Sequence, residues 1–401
     1  MQFLKKIKKK LIWNVNLYKT QKDRLDIIKD NKKIDCNKRI IILLRLDAIG
    51  DFIIWQDSAK EYRNLFPGYE VILVCNKCNV SIAMHQEWFD KVIGIDTSKY
   101  LENKEYKIKM RRLLSCLQCK ELIQSVYSMN SLTLEIAAQI SAEKKVSIDT
   151  DYVNLEPIYR NYINIVFDEI ICTSKEHCME LIKNAEFLRS LGQKNFKAGI
   201  PTIKINEIEV NISFKYYCIV LGTSSALKNW ELKNYARIAD YLYHKYKIKS
   251  VLLGTESELV LESIFEKEIQ NTPYESMIGK TNMDEYLAII KKAVFVLSGD
   301  TSAVHIAAAL GVQSFAIGGS WMLKRFLPYE IEQISANVKC PIFIFADVKC
   351  GDCIYNSRTE NCINYSLKTG HYECVSLVTV DVVKNAIDEW MCREDINVYI
   401  N

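Results

Sequence analysis

No run of about eighteen consecutive apolar residues occurs in this 401-residue chain, so nothing in it reads as a membrane-spanning helix. The opening also lacks the uninterrupted apolar stretch and small-residue cleavage site of a secretory signal, and the expectation is a soluble, cytoplasmic protein. An excess of one charge is missing too. Lys and Arg total 53 against 49 Asp and Glu, a formal net charge of +4 with both signs spread throughout, which argues against a dedicated nucleic-acid binder. No Gly-x-Gly-x-x-Gly follows any predicted strand, which counts against a dinucleotide-dependent oxidoreductase. No short tandem repeat is visible.

What is present fits two domains of moderate size, each with enough of the 49% hydrophobic residues to bury a core. Lys5, Lys6, Lys8, Lys9 and Lys10 interleave with Phe3, Leu4, Ile7, Leu11, Ile12 and Val15 at helix-like spacing. Such a basic amphipathic stretch suits either the surface of an anionic membrane or a solvated, frayed helix. Of the 14 cysteines, most should be reduced and buried in a cytoplasmic chain, as Cys75, Cys172, Cys218 and Cys392 appear in sequence. The exception is a late cluster. Cys350 and Cys353 have the spacing of a zinc pair, with Cys362 and Cys374 available to complete a tetrahedron, so the choice there is between a structural zinc and plain packing.

Continuous β-branched and leucine runs mark buried parallel strands at 39–44, 71–74, 92–95 and 122–126, separated by helical patterns that include one from Phe52 to Leu65. After a helix over Glu176 to Leu191 and a polar link from Gln193 to Asn211, the alternation restarts. It predicts strands at 217–221, 250–253, 293–297 and 313–317, and helices at 232–246, 259–268, 283–292 and 380–392. Two alternations predict an α/β chain with two Rossmann-like domains, their parallel sheets facing a central cleft. The expected boundaries are 1–38 for the basic segment, 39–205 for the first domain, 206–375 for the second with its cysteine-rich end, and 376–401 for a closing helix and tail.

Open parallel sheets bind ligands just beyond their strand ends, and four such loops carry chemistry. The loop Arg45-Leu46-Asp47-Ala48-Ile49-Gly50-Asp51 sets Asp51 at a helix start, as an N-cap or as a general base. Gly222-Thr223-Ser224-Ser225-Ala226-Leu227-Lys228 offers small hydroxyl residues and a mobile cation to a phosphate. Gly254-Thr255-Glu256-Ser257-Glu258 places carboxylates where a ribose could be held. Ser298-Gly299-Asp300-Thr301-Ser302, followed by an alanine-rich helix with His305 one turn in, points a helix amino terminus at an anion, with Asp300 or Thr301 as the cap.

Together these loops, with Lys228-Asn229-Trp230, Ile278-Gly279-Lys280-Thr281 and His305-Ile306-Ala307-Ala308-Ala309-Leu310-Gly311, resemble glycosyltransferase family 9, the heptosyltransferase-like enzymes of lipopolysaccharide synthesis. The resemblance covers roughly Arg39 to the C-terminal helix. It implies a GT-B fold, a nucleotide-sugar donor held mainly by the second domain, and inverting transfer with no obligatory metal. It also implies that Asp51 is the base, that Lys228 contacts the donor diphosphate, and that Glu258 grips the ribose, with Glu256 as the alternative register. Thr223, Ser224, Asp300, Thr301, Ser302 and His305 complete the implied donor site. Ser302 departs from the glycine usual after the threonine, and Glu231 stands where a proline is common. The expected reaction is transfer of a sugar, heptose from an ADP-activated donor, to a lipid-linked glycan at the inner face of the cytoplasmic membrane. The alternatives are another nucleotide sugar, serving a capsule or glycoprotein, and a silent nucleotide-binding scaffold.

Overall fold

The computed structural model describes residues 21–174, 179–333, 338–346, 348 and 370–394. The basic segment around Lys5 to Lys10, and Cys350, Cys353 and Cys362, lie outside these residues. Among the described residues no helix is long and apolar enough to cross a membrane.

Two six-stranded parallel sheets carry the chain. The first contains β1 (Ile40–Arg45), β2 (Glu70–Asn76), β3 (Lys91–Ile95), β4 (Gln118–Gln124), β5 (Ser141–Ile148) and β6 (Glu169–Ile171), in the order β3-β2-β1-β4-β5-β6. The second contains β7 (Tyr216–Val220), β8 (Lys249–Leu253), β9 (Tyr274–Ser276), β10 (Phe295–Ser298), β11 (Gln313–Ile317) and β12 (Ile342–Ile344), in the order β12-β11-β10-β7-β8-β9. Both are doubly wound. Each reverses its winding beside its first strand, between β1 and β4 in one sheet and between β7 and β10 in the other.

The central strands β1, β7 and β10 are buried on both faces, which is why they appear in sequence as unbroken apolar runs. Strands β6, β9 and β12 have three residues each and lie at sheet edges, too short for periodicity to reveal them. Strand β5, Ser-Ala-Glu-Lys-Lys-Val-Ser-Ile, hides behind its charged residues. The helix expected from Phe52 to Leu65 is two helices, Ile49–Ala59 and Tyr62–Leu65.

Two compact units result, and their boundaries differ from the expected division near residue 205. Among the described residues, the first comprises 21–47, 62–80 and 87–173, and the second 48–61, 81–86 and those from 174 onward. Helix Ile49–Ala59, although it follows β1, packs with the second unit against helices Glu180–Ser190 and Ser302–Ala309. Its Asp57 carboxylate accepts a 2.7 Å hydrogen bond from the Gly199 N–H, and burial pushes the Asp57 pKa up.

In the first unit, the reversal point is closed by Arg45. Its Nη1 donates to the Ser125 carbonyl at 2.7 Å, tying the end of β1 to the segment after β4, and its guanidinium also pairs with Asp47.

Candidate active site

In the second unit the reversal falls between β7 and β10, which pair in parallel with Val220 opposite Ser298. Beyond such a reversal point, past the carboxyl ends of the strands, an open parallel sheet takes its ligand. Lys228 lies on one loop, in a 3₁₀ turn at Ala226–Lys228, and Asp300 lies on the other. Across the gap the Lys228 ammonium meets the Asp300 carboxylate at 2.9 Å. The same oxygen, Oδ2, accepts a second hydrogen bond from the Trp321 indole N–H at 2.8 Å. The Trp321 ring lies 5.4 Å from the ammonium, so the cation also faces an aromatic surface.

The loop that carries Lys228 is braced from within. Asn229 Oδ1 accepts from the Thr223 N–H at 2.9 Å and lies 2.8 Å from the Thr223 hydroxyl, which is also 2.7 Å from the Ser225 carbonyl. Thr223 therefore shapes the loop, while Ser224 is exposed. Close approach of the neighbouring loop explains Gly299, since a Cβ there would stand 2.8 Å from Thr223 Cγ2.

Thr301, not Asp300, is the N-cap of helix Ser302–Ala309. Its hydroxyl accepts from the Ala303 N–H at 3.3 Å and lies 2.7 Å from the Ser298 hydroxyl. The helix start thus presents its positive end beside Lys228 and Asp300. His305 is buried, with Nδ1 2.8 Å from the Tyr329 hydroxyl and the two rings nearly parallel, their centroids 5.8 Å apart. Burial pushes its pKa from the usual 6.5 down to about 4, against the opposing pull of Asp300, so the ring is neutral at pH 7.

Helix Ile49–Ala59 brings Asp51 to this side of the unit. Its cap is Ala48, which makes no side-chain cap bond, and Asp51 is the third residue of its first turn. The N-cap alternative for Asp51 therefore does not hold: the carboxylate is half-buried within the helix, not before it. Gly50 allows the approach, because a Cβ there would stand 3.3 Å from His305 Cδ2 and 3.7 Å from the Ser302 backbone.

Glu258 stands beyond the next strand. Its carboxylate accepts from the Thr255 N–H at 2.7 Å in a capping box, and lies against Gly222 and Gly254, where the missing side chains leave room for it between the ends of β7 and β8. Glu256 is exposed, with its backbone against Gly279. The structure thus groups Lys228, Asp300, Thr301 and Ser302 at the reversal point, sets Gly50 and Asp51 alongside, and leaves Glu258 one strand away. Of the cysteine cluster, Cys374 is described and buried, 2.5 Å from where a Cβ on Gly319 would be. Among the described residues no three His, Cys, Asp or Glu could hold a metal ion together.

Residues 186–341, which contain this reversal point, match the model of glycosyltransferase family 9 (heptosyltransferase). The resemblance is to family 9. A lipopolysaccharide core heptosyltransferase, OpsX of Haemophilus influenzae, is 29% identical over 123 residues. That alignment takes in 30% of this chain and 35% of OpsX, so the chain matches about a third of this relative's length. Among solved structures, a family 9 glycosyl transferase of Veillonella parvula superposes with a TM-score of 0.67 at 15% identity, covering 89% of this chain and 98% of that one. The ADP complex of Escherichia coli heptosyltransferase WaaC gives 0.62 at 14% identity, over 87% and 99%. Escherichia coli ADP-heptose heptosyltransferase II gives 0.63 at 13%, over 88% and 99%. At these identities the likeness to family 9 structures shows the fold, the two-sheet GT-B arrangement expected from the sequence.

Sequence reasoning missed three residues that build the site. Asn229 follows Lys228 directly in sequence, where nothing marks its side chain as the brace of the loop. Trp321 and Tyr329 lie beyond β11, in a stretch whose spacing carries no signal.

Proposed function

We propose that this chain is an inverting glycosyltransferase that moves a heptose from an ADP-activated donor onto a hydroxyl of a lipid-linked glycan such as the lipopolysaccharide core. The observation that carries the reading is Lys228 and the capped helix start at Thr301 standing together at the β7/β10 reversal point. A nucleoside diphosphate leaving group gains negative charge as its bond to the sugar breaks, and fixed positive groups aimed at that charge are commonly the largest catalytic contribution. Glu258, one strand away, suits the ribose of the same nucleotide. Asp51 takes the proton of the attacking acceptor hydroxyl. The relatives' ADP and heptose chemistry supports the choice of donor, and no metal is required by these roles. The N-terminal lysines would hold the enzyme at the anionic inner leaflet, near its acceptor.

A thermal-shift screen with ADP, UDP, GDP and CMP tests the donor. Saturating ADP should stabilise the fold by about 2–4 kcal/mol, well above the others. A larger response to UDP or GDP would replace the donor, and no response to any nucleotide would remove the enzyme reading.

A further inference from the structure

The Asp300 carboxylate poses a problem for a site that receives a diphosphate. It is an anion beside the proposed binding place of another anion, and in the structure it holds Lys228, the cation the diphosphate needs. An incoming nucleotide must draw Lys228 toward itself, leaving Asp300 with less compensation in a partly buried place, with side-chain exposures of 15% for Lys228 and 20% for Asp300.

Trp321 answers this. Its N–H donates to Asp300 Oδ2, the oxygen that also accepts from Lys228, so that oxygen keeps one strong donor after the lysine turns away. The ring is itself immobilised, 6% exposed and packed against Tyr372 with centroids 5.7 Å apart. Tyr372 is anchored in turn on the Lys228 loop, its N–H donating to the Leu227 carbonyl at 2.9 Å. The indole is therefore a fixed donor and not a mobile side chain. Its face also lies beneath the Lys228 ammonium, 5.4 Å from ring centroid to nitrogen.

We propose that Trp321 is a positioning residue for donor binding: it holds the Asp300 carboxylate so that Lys228 can be shared with, and then released to, the diphosphate. The inference rests on the nucleotide-binding reading above and assigns to Trp321 no contact with the substrate.

A double-mutant cycle on ADP affinity tests it, using calorimetry on the full chain with Trp321→Phe, Asp300→Asn and both together. Phenylalanine keeps a ring and removes the N–H. Trp321→Phe should weaken ADP binding about three- to tenfold with Asp300 present and less than about twofold with asparagine there, because the charge that needed the donor has gone. Trp321→His, which restores a ring N–H, should recover part of the loss, and Trp321→Leu, which also lacks the donor, replaces the phenylalanine variant if that protein is unstable. The same loss in both backgrounds, or no loss in either, overturns the role of Trp321 while leaving the site intact. A wild-type protein that binds no nucleoside diphosphate overturns the site reading itself, and this inference with it.

Discussion

Gly50 lies so close to His305 that a methyl group in place of its hydrogen would stand 3.3 Å from the imidazole Cδ2. The contact joins the helix that carries Asp51 to the helix whose start faces Lys228 and Asp300. Its geometry depends on the absence of a side chain at residue 50, where the nearest atoms belong to His305 and Ser302.

Gly50→Val should therefore push the two helices apart. Overpacking of this kind typically costs about 1–3 kcal/mol, and the first turn bearing Asp51 would shift with it. Denaturant unfolding should show the loss. Turnover should fall further than nucleotide affinity, since Lys228 and Glu258 are placed by other strands. Unchanged stability in Gly50→Val would mean the helices do not need this approach.

Asp51→Asn should lower turnover by about 10²–10⁴-fold, the usual contribution of a positioned proton acceptor. Because Asp51 lies inside the first helical turn, the substitution removes a favourable charge near the positive helix end, worth about 0.3–1 kcal/mol, and should leave the fold and ADP affinity nearly intact. A folded Asp51→Asn protein with normal turnover would show that the carboxylate serves the helix alone.

Lys228→Ala should weaken nucleotide binding and slow transfer together, since the diphosphate is charged before and after the bond breaks. A charge-assisted contact is worth roughly 1.5–3 kcal/mol, so a loss of ten- to a hundredfold or more is expected in kcat/KM. Lys228→Arg should recover affinity only partly, because a planar guanidinium does not reproduce a compact ammonium pairing with one carboxylate oxygen. Wild-type kinetics in Lys228→Ala would place the diphosphate elsewhere.

His305 predicts a pH dependence of stability. Its pKa lies near 6.5 in the unfolded chain and about 4 when buried, so the folded state favours the neutral ring. The contribution is present in full above about pH 6.5 and is lost as the pH falls toward 4, where the unfolded chain binds a proton that the native state still refuses. The gap corresponds to about 3 kcal/mol. Urea titrations at pH 7 and pH 4 should differ by roughly that much more in the wild type than in His305→Asn. Equal pH dependence in the two proteins would be the contrary result.

Much of this molecule is determined by local sequence. The central strands β1, β7 and β10 are buried on both faces, and full burial demands continuous apolar residues, which show in one dimension. The Thr301 cap and Gly311, with φ of 72° just past its helix, are likewise set by chemistry within a few residues. Edge strands β6 and β9 are not visible in sequence because three residues at a sheet edge are too few to show a periodic pattern. Only the tertiary structure decided which loops meet. The doubly wound strand order sets β10 beside β7, bringing Asp300 to Lys228 across 72 residues of chain, and the same packing delivers Trp321 to that carboxylate. Likewise, helix Ile49–Ala59 belongs to the second unit because it packs there against helices Glu180–Ser190 and Ser302–Ala309. Neither partner announces the other in sequence, because the complementarity lies in shape and distance, and these exist only once both elements are folded.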